Sequence, residues 1–204
     1  MKPTYSALVF DLGNVLLPFN YEIILSGLDR IEIGLGEKFK RFYRTNYELH
    51  RELECGKLSE GKFLEIVLGA LDNKLSKEDF CELYSNIFTV NNELVRILPA
   101  LKKNYKLVLM SNTNGIHQRY GWGKYEFLKV FDKLVLSHEA GAVKPEPAIY
   151  KAVEAYTSAQ PEEHFYTDDI AEYIAGARLL GWDAVQFTGN GELFTEMDKR
   201  GIRY

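Results

Sequence analysis

Tyr5-Ser6-Ala7-Leu8-Val9-Phe10-Asp11-Leu12-Gly13-Asn14 decides the fold. Six residues rich in Val, Leu, Phe and Tyr run straight into an aspartate. Gly13 and Asn14, residues that suit a sharp change of direction, follow at once. The run has the length and composition of a buried strand, although periodicity alone does not separate it from a buried helical segment.

The same arrangement returns later in the chain. Lys106–Met110 is a second strand candidate and ends at Ser111; Lys133–Leu136 is a third; His164–Thr167 is a fourth and ends at Asp168; Asp183–Phe187 is a fifth. Helical patterns at Glu93–Lys103, Ala148–Tyr156 and Ile170–Leu180 lie between them. Strand–helix alternation predicts an α/β fold, a Rossmann-like parallel sheet flanked by helices.

From about Tyr21 to Phe88 the period changes. Phe39, Phe42, Tyr43 and Tyr47, then Phe63, Ile66, Val67 and Ala70, recur at helical spacing, and Ser59 and Ser76 read as helix starts. No strand pattern interrupts this block. The chain therefore divides into an α/β core, residues 1–16 and 91–204, and an all-helical cap, residues 17–90, inserted after the first strand.

Composition narrows the class of partner. A net charge of −4 with no dense basic run argues against nucleic acid. No apolar stretch reaches the ~18 residues of a membrane span. Met1-Lys2-Pro3-Thr4 lacks the marks of a secretory leader, and the two cysteines, Cys55 and Cys81, have no metal-binding spacing. The expectation is a cytoplasmic protein with reduced thiols.

Polar residues cluster where strands end: Asp11 after the first, Ser111-Asn112-Thr113 after the second, Lys144-Pro145 shortly after the third, Asp168-Asp169 after the fourth. A parallel sheet gathers all four at one edge, where such folds bind ligands. Each cluster also has an ordinary reading. Asp11 suits a turn, the aspartate pair suits the N-cap of the next helix, Ser111 and Asn112 suit a turn, Lys144 suits a surface loop, and His117 suits a helix.

The ordered set resembles the haloacid dehalogenase superfamily. Its four motifs correspond here to Val9-Phe10-Asp11-Leu12-Gly13-Asn14-Val15, Leu109-Met110-Ser111-Asn112, Gly141-Ala142-Val143-Lys144-Pro145-Glu146-Pro147 and Tyr166-Thr167-Asp168-Asp169-Ile170. The resemblance covers essentially the whole chain, and the wording of the first two motifs is most like a subgroup of small sugar-phosphate phosphatases with a helical cap. It implies a Mg²⁺-dependent hydrolase of a small phosphorylated metabolite, a phosphoric monoester, working through an aspartyl-phosphate on Asp11. Mg²⁺ would be held by Asp11, the Gly13 carbonyl, Asp168 and Asp169. Lys144 would neutralise charge beside the nucleophile. Ser111, Asn112 and Lys144 would bind the phosphate, with His117 facing the substrate or assisting a proton transfer.

Two positions depart from the pattern. Gly13 stands where most phosphatases of the superfamily carry a second aspartate for acid–base work, worth typically ~10²–10⁴-fold in rate. Tyr173 stands where an Asn or Asp usually supports the acidic pair. The first departure leaves open a catalytically weak or inactive protein that binds phosphate or a partner on the same scaffold. A dehalogenase reading ranks low, because that branch has other residues in the first motif.

Overall fold

The computed structural model describes residues 5–204; residues 1–4, read above as lacking a leader, lie outside it. Five parallel strands form one sheet: β1 (Ala7–Phe10), β2 (Lys106–Ser111), β3 (Lys133–Leu136), β4 (His164–Asp168) and β5 (Asp183–Gln186). Their spatial order is β3-β2-β1-β4-β5. The chain moves from β1 outward through β2 and β3, then crosses back to lay β4 on the other flank of β1. The order therefore switches at β1, the central strand.

Both faces of β1 are buried, which explains its unbroken apolar run. Leu8 and Phe10 point to one face and join Leu107, Leu109, Phe165, Leu98 and Met197. Val9 points to the other and joins Val108, Met110, Ile149, Tyr166 and Ile174. The first layer is closed by α6 (Asn92–Val95), α7 (Leu98–Leu101) and α11 (Asn190–Arg200). The second is closed by α9 (Pro147–Thr157) and α10 (Ala171–Leu179), and the one-turn α8 (Ser137–Ala140) follows β3 directly.

Register places the site. Phe10 lies level with Leu109 on β2 and Thr167 on β4. The residues one step further, Asp11, Met110 and Asp168, therefore emerge together at the carboxyl edge. The Asp11 amide donates to the Thr167 carbonyl at 3.0 Å, which carries the pairing past the end of β1.

The insert folds as α1 (Glu22–Ile31), α2 (Leu35–Thr45), α3 (Tyr47–Glu54), α4 (Glu60–Ala70) and α5 (Lys77–Ser85) around its own apolar cluster. Leu28, Phe39, Phe63, Val67, Phe80 and Tyr84 form much of it. Ser59 and Ser76 cap α4 and α5, accepting from the Lys62 and Asp79 amides at 3.3 and 3.1 Å.

One element differs from expectation. The helix read at Glu93–Lys103 is broken into α6 and α7, and Pro99 stands in the first turn of α7. Proline offers no N–H to the carbonyl four residues back, so it starts a helix more readily than it continues one. Both cysteines are free and buried. Among the described residues no helix is long and apolar enough to cross a membrane.

Candidate active site

A buried ion cluster sits where β1, β4 and the loop after α8 meet. Lys144 Nζ donates to Asp11 Oδ1 and to Asp168 Oδ2, both at 2.6 Å, and reaches the Met110 carbonyl at 3.4 Å. Lys144 is only 2% exposed. A charge so deep in the protein requires such partners. Burial works to strip the ammonium of its proton, but the two carboxylates outweigh it and hold the Lys144 pKa above the usual lysine value.

Asp168 is saturated. Its Oδ2 also receives the Tyr166 hydroxyl, and its Oδ1 accepts the Ile170 amide at 2.9 Å. Tyr166 and Asp168 are two apart on β4 and so share one face of the strand. Asp11 differs. Its Oδ1 is taken by Lys144, while its Oδ2 accepts no hydrogen bond from the described residues. Burial pushes the Asp11 carboxyl up to about 8; Lys144 pulls against this and the charge of Asp168 adds to it.

Asp169 is half-buried, its pKa raised by burial, and its Oδ2 accepts from Asn14 Nδ2 at 3.1 Å. Asn14 reaches it from a left-handed conformation, φ 52°, which asparagine tolerates better than most residues. The carboxylates of Asp11, Asp168 and Asp169 each bring an oxygen within 4.8 Å of the others. When all three are ionised, Lys144 leaves two negative charges uncompensated. This donor set fits a hard divalent cation, which prefers carboxylate and carbonyl oxygens.

The Asn112 side chain holds the lysine loop: Oδ1 accepts the Lys144 amide at 2.7 Å and Nδ2 donates to the Lys144 carbonyl at 3.1 Å. Nδ2 also donates to the Tyr173 hydroxyl at 3.2 Å, so the side chain is committed. Tyr173 in turn places its ring 5.0 Å from Lys144 Nζ, a cation–π contact. It supports the lysine, and Asn14 and Tyr166 support the acidic residues. Ser111 is buried at the pocket floor with only a long 3.4 Å contact from its hydroxyl to the Asn112 carbonyl.

His117 begins a π-helical turn, His117–Trp122, and is neither on the surface nor satisfied. Its ring stacks on Tyr84 with centroids 4.1 Å apart, meets Phe88 edge-on at 5.2 Å, and leaves Nδ1 without a partner among the described residues. Burial depresses its pKa to about 3, so at neutral pH it is an uncharged ring and a weak base. A buried base with a depressed pKa gives stability that is complete above the unfolded value near 6.5 and is lost as pH falls toward 3. His117 should therefore contribute a loss of unfolding free energy as pH falls from about 6 to 4, opposed by the raised Asp11 carboxyl, and His117→Phe should remove that contribution from the slope. Denaturant melts across this range test it; an unchanged slope in the variant refutes it.

Asp11, Gly13, Ser111, Asn112, His117, Lys144 and Asp169 line one cavity of about 200 Å³, and Asp168 lies just behind its wall. No family model matches the sequence. A D-ribitol-5-phosphate phosphatase of Bacteroides thetaiotaomicron is 26% identical over 190 residues, covering 88% of this chain and 90% of that one. A crystal structure of a HAD family enzyme from the same organism superposes with a TM-score of 0.82 at 24% identity, covering 94% of this chain and 98% of that one. A mutant of that enzyme in complex with magnesium and inorganic phosphate superposes with a TM-score of 0.79 at 23% identity, over 93% and 99% of the two chains. The chain has the fold of haloacid dehalogenase superfamily enzymes.

The roof of the cavity comes from the helical insert. Tyr21, Tyr43, Tyr47, His50 and Glu54 contribute to it, with Phe19 and Phe88 from the connections. Tyr47 and His50 of α3 face the cavity. Arg51 instead pairs with Glu146 at 3.4 Å, and neither it nor Lys57 lines the cavity. Glu54 was missed, although it lies one helical turn beyond His50 on α3. Phe19 fills the space beside Gly13: a Cβ there would come within 3.2 Å of its ring.

Proposed function

We propose that the protein is a Mg²⁺-dependent phosphatase of a small phosphorylated metabolite, with Asp11 as nucleophile. The observation that carries this reading is the pairing of Lys144 with both Asp11 and Asp168 in one buried cluster beside Asp169. Asp11, Asp169 and the Gly13 carbonyl would hold the ion, with Asp168 fixed behind them by Lys144, Tyr166 and the Ile170 amide. Bound Mg²⁺ would supply the charge neutralisation that lets an anionic ester approach a carboxylate.

Asp11 would attack phosphorus through its carboxylate, forming the aspartyl P–O bond as the P–O bond to the leaving group breaks. Lys144 together with the bound ion would hold Asp11 ionised and oriented, and Ser111 with the backbone beside it would face the phosphoryl oxygens. Water would then attack the aspartyl-phosphate, releasing inorganic phosphate and restoring the carboxylate. Gly13 has no side chain to protonate the departing oxygen, and Phe19 occupies the adjoining space. This favours esters whose leaving groups need little protonation, such as anomeric or acyl phosphates. We assign residues 17–90 to a cap over this edge and residues 1–16 and 91–204 to the catalytic core, working on a cytoplasmic substrate.

Phosphate release from an aryl phosphate should require Mg²⁺ and vanish with EDTA. Thermal stabilisation by phosphate without any Mg²⁺-stimulated turnover would instead favour a binding protein on this scaffold.

A further inference from the structure

The wall of the cavity opposite the ion cluster carries one carboxylate and no spare cation. Among the described residues, Lys144 is the only Lys or Arg that lines the cavity, and it is committed to Asp11 and Asp168. Glu54 closes the cap side, its side chain 16% exposed. It is fixed from behind: His50 Nε2 lies 3.2 Å from Glu54 Oε1, and His50 Nδ1 lies 3.1 Å from the buried Tyr84 hydroxyl.

His50 is committed to Glu54 and to the Tyr84 hydroxyl, so it offers the cavity no surplus positive charge. His117, buried and uncharged at neutral pH, adds none. Arg51, on the same helix, is engaged with Glu146 outside the cavity.

We infer that Glu54 makes the cap wall a charge filter: the part of the substrate beyond the phosphate is a neutral, hydroxyl-bearing group that donates to the Glu54 carboxylate, and phosphoesters with a second anionic group are rejected. The inference rests on the phosphatase reading above and names its substrate class. A hydroxyl can satisfy an acceptor in a half-dry pocket, whereas a second carboxylate or phosphate there meets a like charge at low effective dielectric.

Glycerol phosphate and phosphoglycerate form a matched pair, differing by a hydroxymethyl group against a carboxylate. With Mg²⁺-loaded wild type, kcat/KM for glycerol phosphate should exceed that for phosphoglycerate by about 100-fold. In Glu54→Gln, which keeps shape and removes charge, this ratio should fall at least about tenfold, mainly through a lower KM for phosphoglycerate. A wild-type ratio near one, a preference for phosphoglycerate, or a ratio untouched by Glu54→Gln overturns the inference.

Failure of the phosphatase reading is a separate result. If the Mg²⁺-loaded protein turns over neither ester, whose alkoxide leaving groups find no acid at Gly13, the discrimination is read in binding; if it also fails on an aryl phosphate, the phosphatase reading falls. Glycerol phosphate should then raise the melting temperature and phosphoglycerate should not. Equal shifts, the reverse order, or no shift with either ester overturns the inference.

Discussion

Lys144→Met is expected to lower the unfolding free energy by roughly 3–5 kcal/mol and to abolish turnover. The ammonium is the sole cation bonded to Asp11 and Asp168 among the described residues, and both carboxylates are buried. Methionine fills much of the same volume, so the loss is electrostatic. Two desolvated carboxylates would face each other with only the Tyr166 hydroxyl and the Ile170 amide to offset them. The loop itself should persist, because Asn112 grips the backbone of residue 144 through its own side chain. Saturating Mg²⁺ should recover part of the lost stability by binding the native carboxylates. The gap from wild type should also close as the pH is lowered, since protonated carboxyls need no counter-charge. Urea denaturation with EDTA and with Mg²⁺ measures both effects. A stability loss below about 1 kcal/mol, the level of a surface ion pair, would sink the claim that this lysine holds the cluster together.

The sheet was readable from the sequence because burial on both faces leaves a continuous apolar run that stops where the chain leaves the core. Asp11 and Asp168 mark such stops. Cap helices were readable for the complementary reason: each buries one stripe, so Phe63 and Val67 recur one turn apart. The break between α6 and α7 was missed because an apolar period at Leu94, Leu98 and Leu101 continues across Pro99.

Within the site, the residues named from the sequence lie together, but how they divide the work depends on contacts that only the fold creates. Asn112 reads as a phosphate donor; its side-chain amide is occupied by Lys144 and Tyr173, which limits that contact to its backbone amide. Tyr173 reads as a departure that weakens support for the acidic pair; in three dimensions it lies against Lys144, and Asn14, 155 residues earlier, supports Asp169. Tyr166 was overlooked because an aromatic in an apolar strand reads as core. Its two-residue spacing from Asp168 was the available signal, since alternate residues on a strand share a face.

Asp11→Asn should lower phosphate release at least about a thousandfold, the scale seen when a covalent nucleophile is removed, while stabilising the Mg²⁺-free fold. The two effects have one cause. Asp11 is a carboxylate held in a buried site beside Asp168, with Asp169 also within the cluster and one lysine for all three. An amide of the same shape still accepts from Lys144 Nζ but carries no charge to be desolvated or repelled. The gain should be about 1–2 kcal/mol in EDTA, in the range available when a functional strain is relieved. It should shrink in Mg²⁺, because the variant gives up a charged ligand and binds the ion less tightly. Melting in EDTA and in Mg²⁺, alongside phosphate release, separates the possibilities. A destabilised Asp11→Asn would mean that the carboxylate stabilises the lysine more than it is repelled by its neighbours. Retained turnover would remove Asp11 as the attacking group. Together with Lys144→Met, the variant sets the sign of the cluster: deleting the cation should destabilise, deleting one anion should stabilise, and both should silence the enzyme, as required of a site that keeps excess negative charge in reserve for a divalent ion.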